Sequence, residues 1–212
     1  MNRSREKGGS MEEPMHLHDE DEEHTDQPEA RLVDIAERFS FKARFVLLFG
    51  EINHSMARMT CERLIALNHE SQAPITVLIS SPGGHVESGD AIHDVIRFVR
   101  APVTTVGTGW VASAGTHIFL APPKNRRVCL PNTRFMIHQP GGGAGGQATD
   151  VAIQAKEILR THDRIAKEIS AQTGQALEKV MADMERDFWM SADEAIDYGI
   201  VSRIIEKHED LL

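Results

Sequence analysis

Sulfur, clustered positive charge and long apolar runs are all scarce in this chain. Its 212 residues include two cysteines, Cys61 and Cys129. Two are too few for a disulfide framework and they lack metal-ligand spacing, which fits a reducing compartment and plain core thiols. No stretch reaches the roughly 18 apolar residues of a membrane span, and no apolar segment follows the early basic residues, so neither a span nor a signal peptide is expected. A cytoplasmic protein is the reading. The net charge is −9, and residues 1–30 hold three Lys/Arg against ten Asp/Glu, which leaves only −2 for the remainder. A near-neutral body with an acidic arm argues against nucleic-acid binding, because phosphate affinity needs clustered cations to displace counterions.

What the chain does have is enough apolar material, 41% of residues, for one domain with a real core. Residues 1–30 carry only Leu17 and three methionines as sizeable apolar side chains, too little to offset the entropy of ordering, so they read as a disordered acidic tail. His16, His18 and His24 flank its run Asp19–Glu23, which reads as a solvated tail that binds metal only adventitiously. Residues 31–212 form the single folded domain. Short apolar runs alternate there with amphipathic segments. Strands are expected at Arg44–Phe49, Ile75–Ile79, Val103–Gly107, Thr133–Ile137 and Ile200–Ile205, and helices at Ser55–Asn68, Asp90–Val99 and Gln147–Gln172. Gly174 is a plausible stop for the third helix. Ser191 and Glu194 form a capping-box pair for a last short helix that closes before Gly199. Alternation of this kind implies an α/β domain.

Four segments carry residues able to do chemistry. Ser80-Ser81-Pro82-Gly83-Gly84 leaves a strand by a sharp turn with bare amides on display. Gly109-Trp110-Val111-Ala112-Ser113-Ala114-Gly115 surrounds one serine with small neighbours, which keeps a hydroxyl accessible, and a turn into a helix there would aim successive N–H groups at an oxyanion. It is not the G-x-S-x-G elbow, because Val111 stands two before Ser113. Met136-Ile137-His138-Gln139-Pro140 ends an apolar strand on a histidine, followed by a run of glycines that lacks the lysine of a phosphate loop. His85, His93 and His117 stay open beside His138 as bases. Glu185-Arg186-Asp187 precedes an apolar stretch, and a carboxylate there would fix an imidazole tautomer. Each segment alone has an ordinary structural explanation as a turn, a helix cap, a core histidine or a surface charge.

Together and in this order they resemble the proteolytic subunit of the Clp (caseinolytic) protease family. The motifs are Ser81-Pro82-Gly83-Gly84, Ala112-Ser113-Ala114-Gly115, Cys129-Leu130-Pro131-Asn132, Met136-Ile137-His138-Gln139-Pro140, Gly146-Gln147-Ala148-Thr149-Asp150, Arg186-Asp187, and Ser191-Ala192 with Glu194-Ala195. They span roughly Arg44 to Ile205. The resemblance implies a crotonase-like spiral α/β fold of repeated ββα units and a serine endopeptidase acting on unfolded polypeptides. Ser113 would be the nucleophile, His138 the general base and acid, and Asp187 its orienter, with the Gly84 and Ala114 N–H groups as oxyanion hole. It also implies two stacked heptameric rings meeting along Gln147–Leu159, with Gln147, Asp150 and Arg186 at the ring contact and Arg186 coupling that contact to Asp187. The strand before the glycine run would bind extended peptide by β-augmentation. No cofactor or metal is expected in this subunit, and ATP would be used by a partner AAA+ unfoldase.

Three departures from the family pattern stand out. Ala114 replaces a methionine whose role belongs to its backbone. Thr76 and Leu78 stand where the unfoldase-docking cleft usually has tyrosines, and the axial N-terminal loop gives way to the acidic tail and residues 31–42. Two other readings, a silent scaffold subunit of a mixed ring and a crotonase-type acyl-CoA enzyme, are disfavoured by the intact serine, histidine and aspartate set.

Overall fold

The computed structural model describes residues 28–143 and 145–211. The acidic histidine-containing segment before Pro28 lies outside them. The first element, helix α1 (Pro28–Lys42), opens inside the stretch expected to be tail. It leads into strand β1 (Phe45–Phe49), helix α2 (His54–Glu70), β2 (Ile75–Ser81), α3 (Val86–Phe98), β3 (Val103–Ala112) and α4 (Ala114–Phe119). Then come β4 (Arg127–Cys129), β5 (Arg134–Ile137), α5 (Ala148–Thr173), α6 (Leu177–Asp183), β6 (Phe188–Met190), α7 (Ala192–Tyr198) and β7 (Arg203–Ile204).

One seven-stranded sheet organises the chain, with a path β1-β2-β3-β4-β7 in which every pairing is parallel. Parallel strands need crossovers, and α2 and α3 supply them after β1 and β2, as the βα alternation requires. Along β2 the alternation is strict. Ile75, Val77, Ile79 and Ser81 are fully buried while the residues between them are half-buried, each buried aliphatic contributing about 1.5–3 kcal/mol. The main core joins these residues to Leu64 and Leu67 of α2, Ile92 and Ile96 of α3 and Ile118 and Phe119 of α4. A smaller cluster of Val106, Val128 and Ile205 lies apart from it, with Leu78 packed against it.

The middle strand departs from the expected bounds in a way that matters. β3 does not stop at Gly107 but runs on to Ala112, so the residues between the expected strand end and Ser113 are strand as well. Its first half pairs with β4 through Thr105–Gly107, and its second half pairs with β5 through Trp110–Ala112. The sheet therefore changes neighbours partway along one strand. β5 in turn carries the antiparallel β6 on its other side. The short β4 and β6, three residues each, were not expected from the sequence, and β7 is two residues rather than six.

Several local signals act as read. Asn53 caps α2 by accepting from the Met56 N–H at 2.9 Å. Gly174 ends α5 in the left-handed region at φ +81°, and the Ser191/Glu194 capping box opens α7, which stops at Gly199. Cys129 is buried as expected, and burial pushes its thiol up to about 11. Cys61 is only partly buried, its thiol donating weakly to the Ala91 carbonyl at 3.7 Å. Arg127 is the largest fully buried side chain; burial pushes its guanidinium down to about 10, and Nη2 donates to the Gln172 carbonyl at 2.8 Å.

Candidate active site

The sheet register brings the chemistry-bearing residues together. Ala112 of β3 sits opposite Met136 of the parallel β5, so the chain leaves both strands at neighbouring points, with Ser113 on one and His138 just past the end of the other. Ile137 sits opposite Phe188 of the antiparallel β6, which puts Asp187, one residue before β6, beside His138. The Ser113 N–H donates to the Met136 carbonyl at 2.9 Å and locks the junction.

The three side chains form a chain of contacts. His138 Nδ1 is 2.9 Å from Asp187 Oδ1 and its Nε2 is 2.8 Å from Ser113 Oγ. An ionised carboxylate only accepts, so Nδ1 carries the proton, and the Nε2 lone pair accepts from the serine O–H. The order is therefore carboxylate, imidazole, hydroxyl, the arrangement that makes a hydroxyl nucleophilic. Of the other three histidines left open, none is hydrogen-bonded to Ser113. His85 is the N-cap of α3, accepting from Ser88 N at 3.2 Å. His93 and His117 stack on each other with centroids 4.4 Å apart.

Ser113 is one of two non-glycine residues with positive φ among those described, at φ 56° and ψ −122°. Such a conformation costs about 1–3 kcal/mol and is held by its surroundings. Here it turns the chain at once from β3 into α4 and lifts Oγ out of the sheet. Gly83, at φ +97°, packs its backbone onto the serine so closely that a Cβ on it would lie 2.6 Å from Ser113 Cβ. Only glycine fits.

Two backbone amides lie next to this junction, that of Gly84, which follows Gly83, and that of Ala114, which follows Ser113. The parallel bridge between Ile52 and Gly84 uses the Gly83 carbonyl and the His85 N–H, so the Gly84 N–H is not part of it. Ala114 is the first residue of α4, where helical N–H groups have no intrahelical acceptor. Beside Ser113, His138 and Ala114 a small, mainly apolar pocket opens, lined also by Val86, Ile137, Pro140, Ile165 and Ile169 together with His117. Ile165 and Ile169 come from α5.

Gln147 is the residue before α5 and Asp150 lies in its first turn; both are exposed, as is Arg186 next to Asp187. None of the three side chains is hydrogen-bonded to Ser113, His138 or Asp187. One expectation fails. The strand before the glycine run, β5, is paired on both sides, with β3 and with β6. It has no free edge on which to add a peptide. Sequence reasoning missed β6 because Phe188–Met190 is too short for a periodic signal. Among the described residues no group of three or more histidine, cysteine or carboxylate side chains has metal-binding geometry, and no helix is long and apolar enough to cross a membrane.

Fold and site together define an α/β protein with a serine–histidine–aspartate constellation of hydrolase type at a strand-to-helix junction. The family model for Clp protease matches residues 26–208. ATP-dependent Clp protease proteolytic subunit 3 of Rhizobium johnstonii is 51% identical over 171 residues, covering 81% of this chain and 88% of that protein. ATP-dependent Clp protease proteolytic subunit 2 of Gluconobacter oxydans is 54% identical over 173 residues, covering 81% and 78%. The solved structure of ClpP1 from Listeria monocytogenes superposes with a TM-score of 0.76 at 47% identity, covering 84% of this chain and 99% of that one. The chain belongs to the Clp protease family, with the proteolytic-subunit fold, and is a serine endopeptidase.

Proposed function

We propose that Ser113, His138 and Asp187 are the catalytic set with which this subunit hydrolyses peptide bonds of unfolded polypeptides. The observation that carries the reading is the His138 ring, in contact with both Ser113 Oγ and Asp187. Ser113 Oγ attacks the carbonyl carbon while its proton passes to His138 Nε2. The oxyanion that forms accepts from the Gly84 and Ala114 N–H groups, one such donor being worth about 3 kcal/mol. The C–N bond breaks as His138 returns the proton to the leaving amine. Water, deprotonated by His138, then attacks the acyl-serine, and the hydroxyl is regenerated with release of the acid. Asp187 keeps the Nδ1 proton in place and stabilises the imidazolium of both halves.

The apolar pocket beside Ser113 suits an aliphatic or aromatic substrate side chain. Since β5 has no free edge, the backbone available to an extended chain is Gly141–Gly143, which pairs with no strand. We propose further that the subunit works in two stacked heptameric rings in the cytoplasm, fed by an AAA+ unfoldase that uses the ATP; the relatives' being named ATP-dependent supports the use of ATP by such a partner. The exposed Ile153 and Leu159 on α5, together with Gln147, Asp150 and Arg186, support a ring contact along that helix.

The test is labelling with a serine-directed fluorophosphonate and hydrolysis of a short fluorogenic peptide by wild type and Ser113→Ala. Loss of labelling and a fall in turnover of the order of 10⁶, as when a nucleophile is removed from a comparable triad, are expected. Labelling that persists in the variant overturns the assignment.

A further inference from the structure

The two amides proposed as the oxyanion hole lie at the starts of different helices, one just ahead of α3 and one in α4. Gly84 immediately precedes His85, the N-cap of α3, and Ala114 opens α4. Hydrogen-bond stabilisation of an oxyanion falls steeply with misplacement of its donors, so the spacing of these two helix starts matters. α4 is only six residues long. Thr116 ties it to the sheet, its Oγ1 donating within reach of both the Val111 and Met136 carbonyls at 2.8 Å. Its tie to α3 is made by two other contacts.

One is a close approach. A Cβ built on Gly89 of α3 would stand 3.2 Å from Ala114 Cβ, so glycine lets the helices meet at the residue that carries one of the two amides. The other is a buried polar clasp one turn further on. His117 of α4, with a side chain 6% exposed, places Nε2 at 3.0 Å from Asp90 Oδ1 of α3. That nitrogen makes no well-formed hydrogen bond, so the contact is a close approach of imidazole to carboxylate. Asp90 is gripped from the other side by Arg164 of α5 in a bidentate pair, Nη1 to Oδ1 at 2.9 Å and Nη2 to Oδ2 at 2.6 Å. The surrounding charges are accounted for as well. His93 stacks on His117 and lies 3.2 Å from Asp94 and 3.6 Å from Glu168, which is itself held by Arg97 at 3.0 Å. Burial would raise the Asp90 carboxyl, but the His117 and Arg164 contacts outweigh it and hold the group down at about 2, so it stays ionised through the neutral range.

We propose that Asp90 and His117 are positioning residues for peptide hydrolysis, clasping α3 to α4 so that the Gly84 and Ala114 N–H groups keep the separation an oxyanion needs. Neither touches the substrate's reacting atoms. The inference rests on the catalytic reading above and adds to it a part that lies behind the reacting atoms. Sequence proximity alone hides it, since Asp90, His117 and Arg164 come from three helices.

The test compares Asp90→Asn, His117→Phe and their double variant with wild type in steady-state hydrolysis of a short fluorogenic peptide, fluorophosphonate labelling rate, and thermal melting. We expect kcat to fall about 10-fold with KM within about twofold, because ground-state binding does not use the hole. The labelling rate should fall by the same factor, the phosphonyl oxygen needing the same donors. The double variant should be no worse than the worse single, as both act through one link. Gly89→Ala, which leaves Asp90 and His117 unchanged but makes α3 and α4 give way at the 3.2 Å contact, should show the same kcat-selective loss, and His117→Phe decides the matter if Asp90→Asn does not fold. A lower melting temperature with kcat and labelling rate within twofold of wild type would reduce the clasp to a structural role and overturn the proposal. Labelling that survives in Ser113→Ala instead sinks the catalytic reading, whatever Asp90→Asn does.

Discussion

Replacing Gly84 by alanine tests the close approach on which the candidate oxyanion hole is built. Gly84 has φ +148°, and an added Cβ would fall 2.2 Å from the Ile52 carbonyl oxygen and 2.9 Å from its nitrogen. Ordinary contact requires the two backbones to part by about 1 Å. Ile52 is fully buried, and its carbonyl accepts from the His85 N–H at 2.8 Å, so parting them breaks that bond. The conformational strain costs about 1–3 kcal/mol and the lost hydrogen bond about 1 kcal/mol, which at about 2–4 °C per kcal/mol for a domain of this size lowers the melting temperature by roughly 5–15 °C. The same movement carries the Gly84 N–H away from Ser113 and should lower kcat by about 10²–10³. Gly50→Ala is the control. Gly50 also has positive φ, +95°, but an added Cβ there meets nothing within 4 Å. It bears the conformational cost without the collision and should leave kcat near wild type. Circular-dichroism melts and peptide hydrolysis read both quantities. Equal losses in the two variants would refute the argument, since only Gly84 has a neighbour to displace.

Asp187→Asn should leave the His138 ring in place but with the wrong tautomer favoured, lowering kcat steeply while KM changes little. Where such a carboxylate is buried the loss reaches about 10⁴; Asp187 is 61% exposed, so solvent screens it and a smaller loss, above about 10², is expected in the same hydrolysis assay. An unchanged kcat would remove Asp187 from the set. The Asp90 carboxyl predicts a pH effect on stability. Its folded value is about 2 against an ordinary 3.8. A depressed value means that the contribution is present in full above the unfolded value and fades as pH falls from about 4 toward about 2. The stability difference between wild type and Asp90→Asn, from urea melts, should shrink as pH falls from about 4 toward about 2; a difference that widens on acidification through that window would contradict the account.

Local patterning made part of this protein legible from its residues alone. The βα alternation, the capping box at Ser191 and the stop at Gly174 are all decided within a few residues of chain, by propensity and by φ. The motif order was enough to point to the family and to nominate Ser113, His138 and Asp187. Other features were invisible at that level. β4, β6 and β7 are two or three residues long, and strands so short are held by their partners rather than by any periodicity of their own. The expectation that β5 would offer a free edge failed for the same reason, because its second neighbour is the unsuspected β6.

The amino-acid order by itself determined which side chains were available and which local turns and caps would form, since those follow from bond rotations and contacts between near neighbours. That His138 lies beside Asp187, 49 residues away, was decided by β5 and β6 pairing antiparallel. That His117, Asp90 and Arg164 meet was decided by α3, α4 and α5 sharing one core. Contacts of that range form only when burial of the core brings distant segments together, and no local signal encodes which partner each will find.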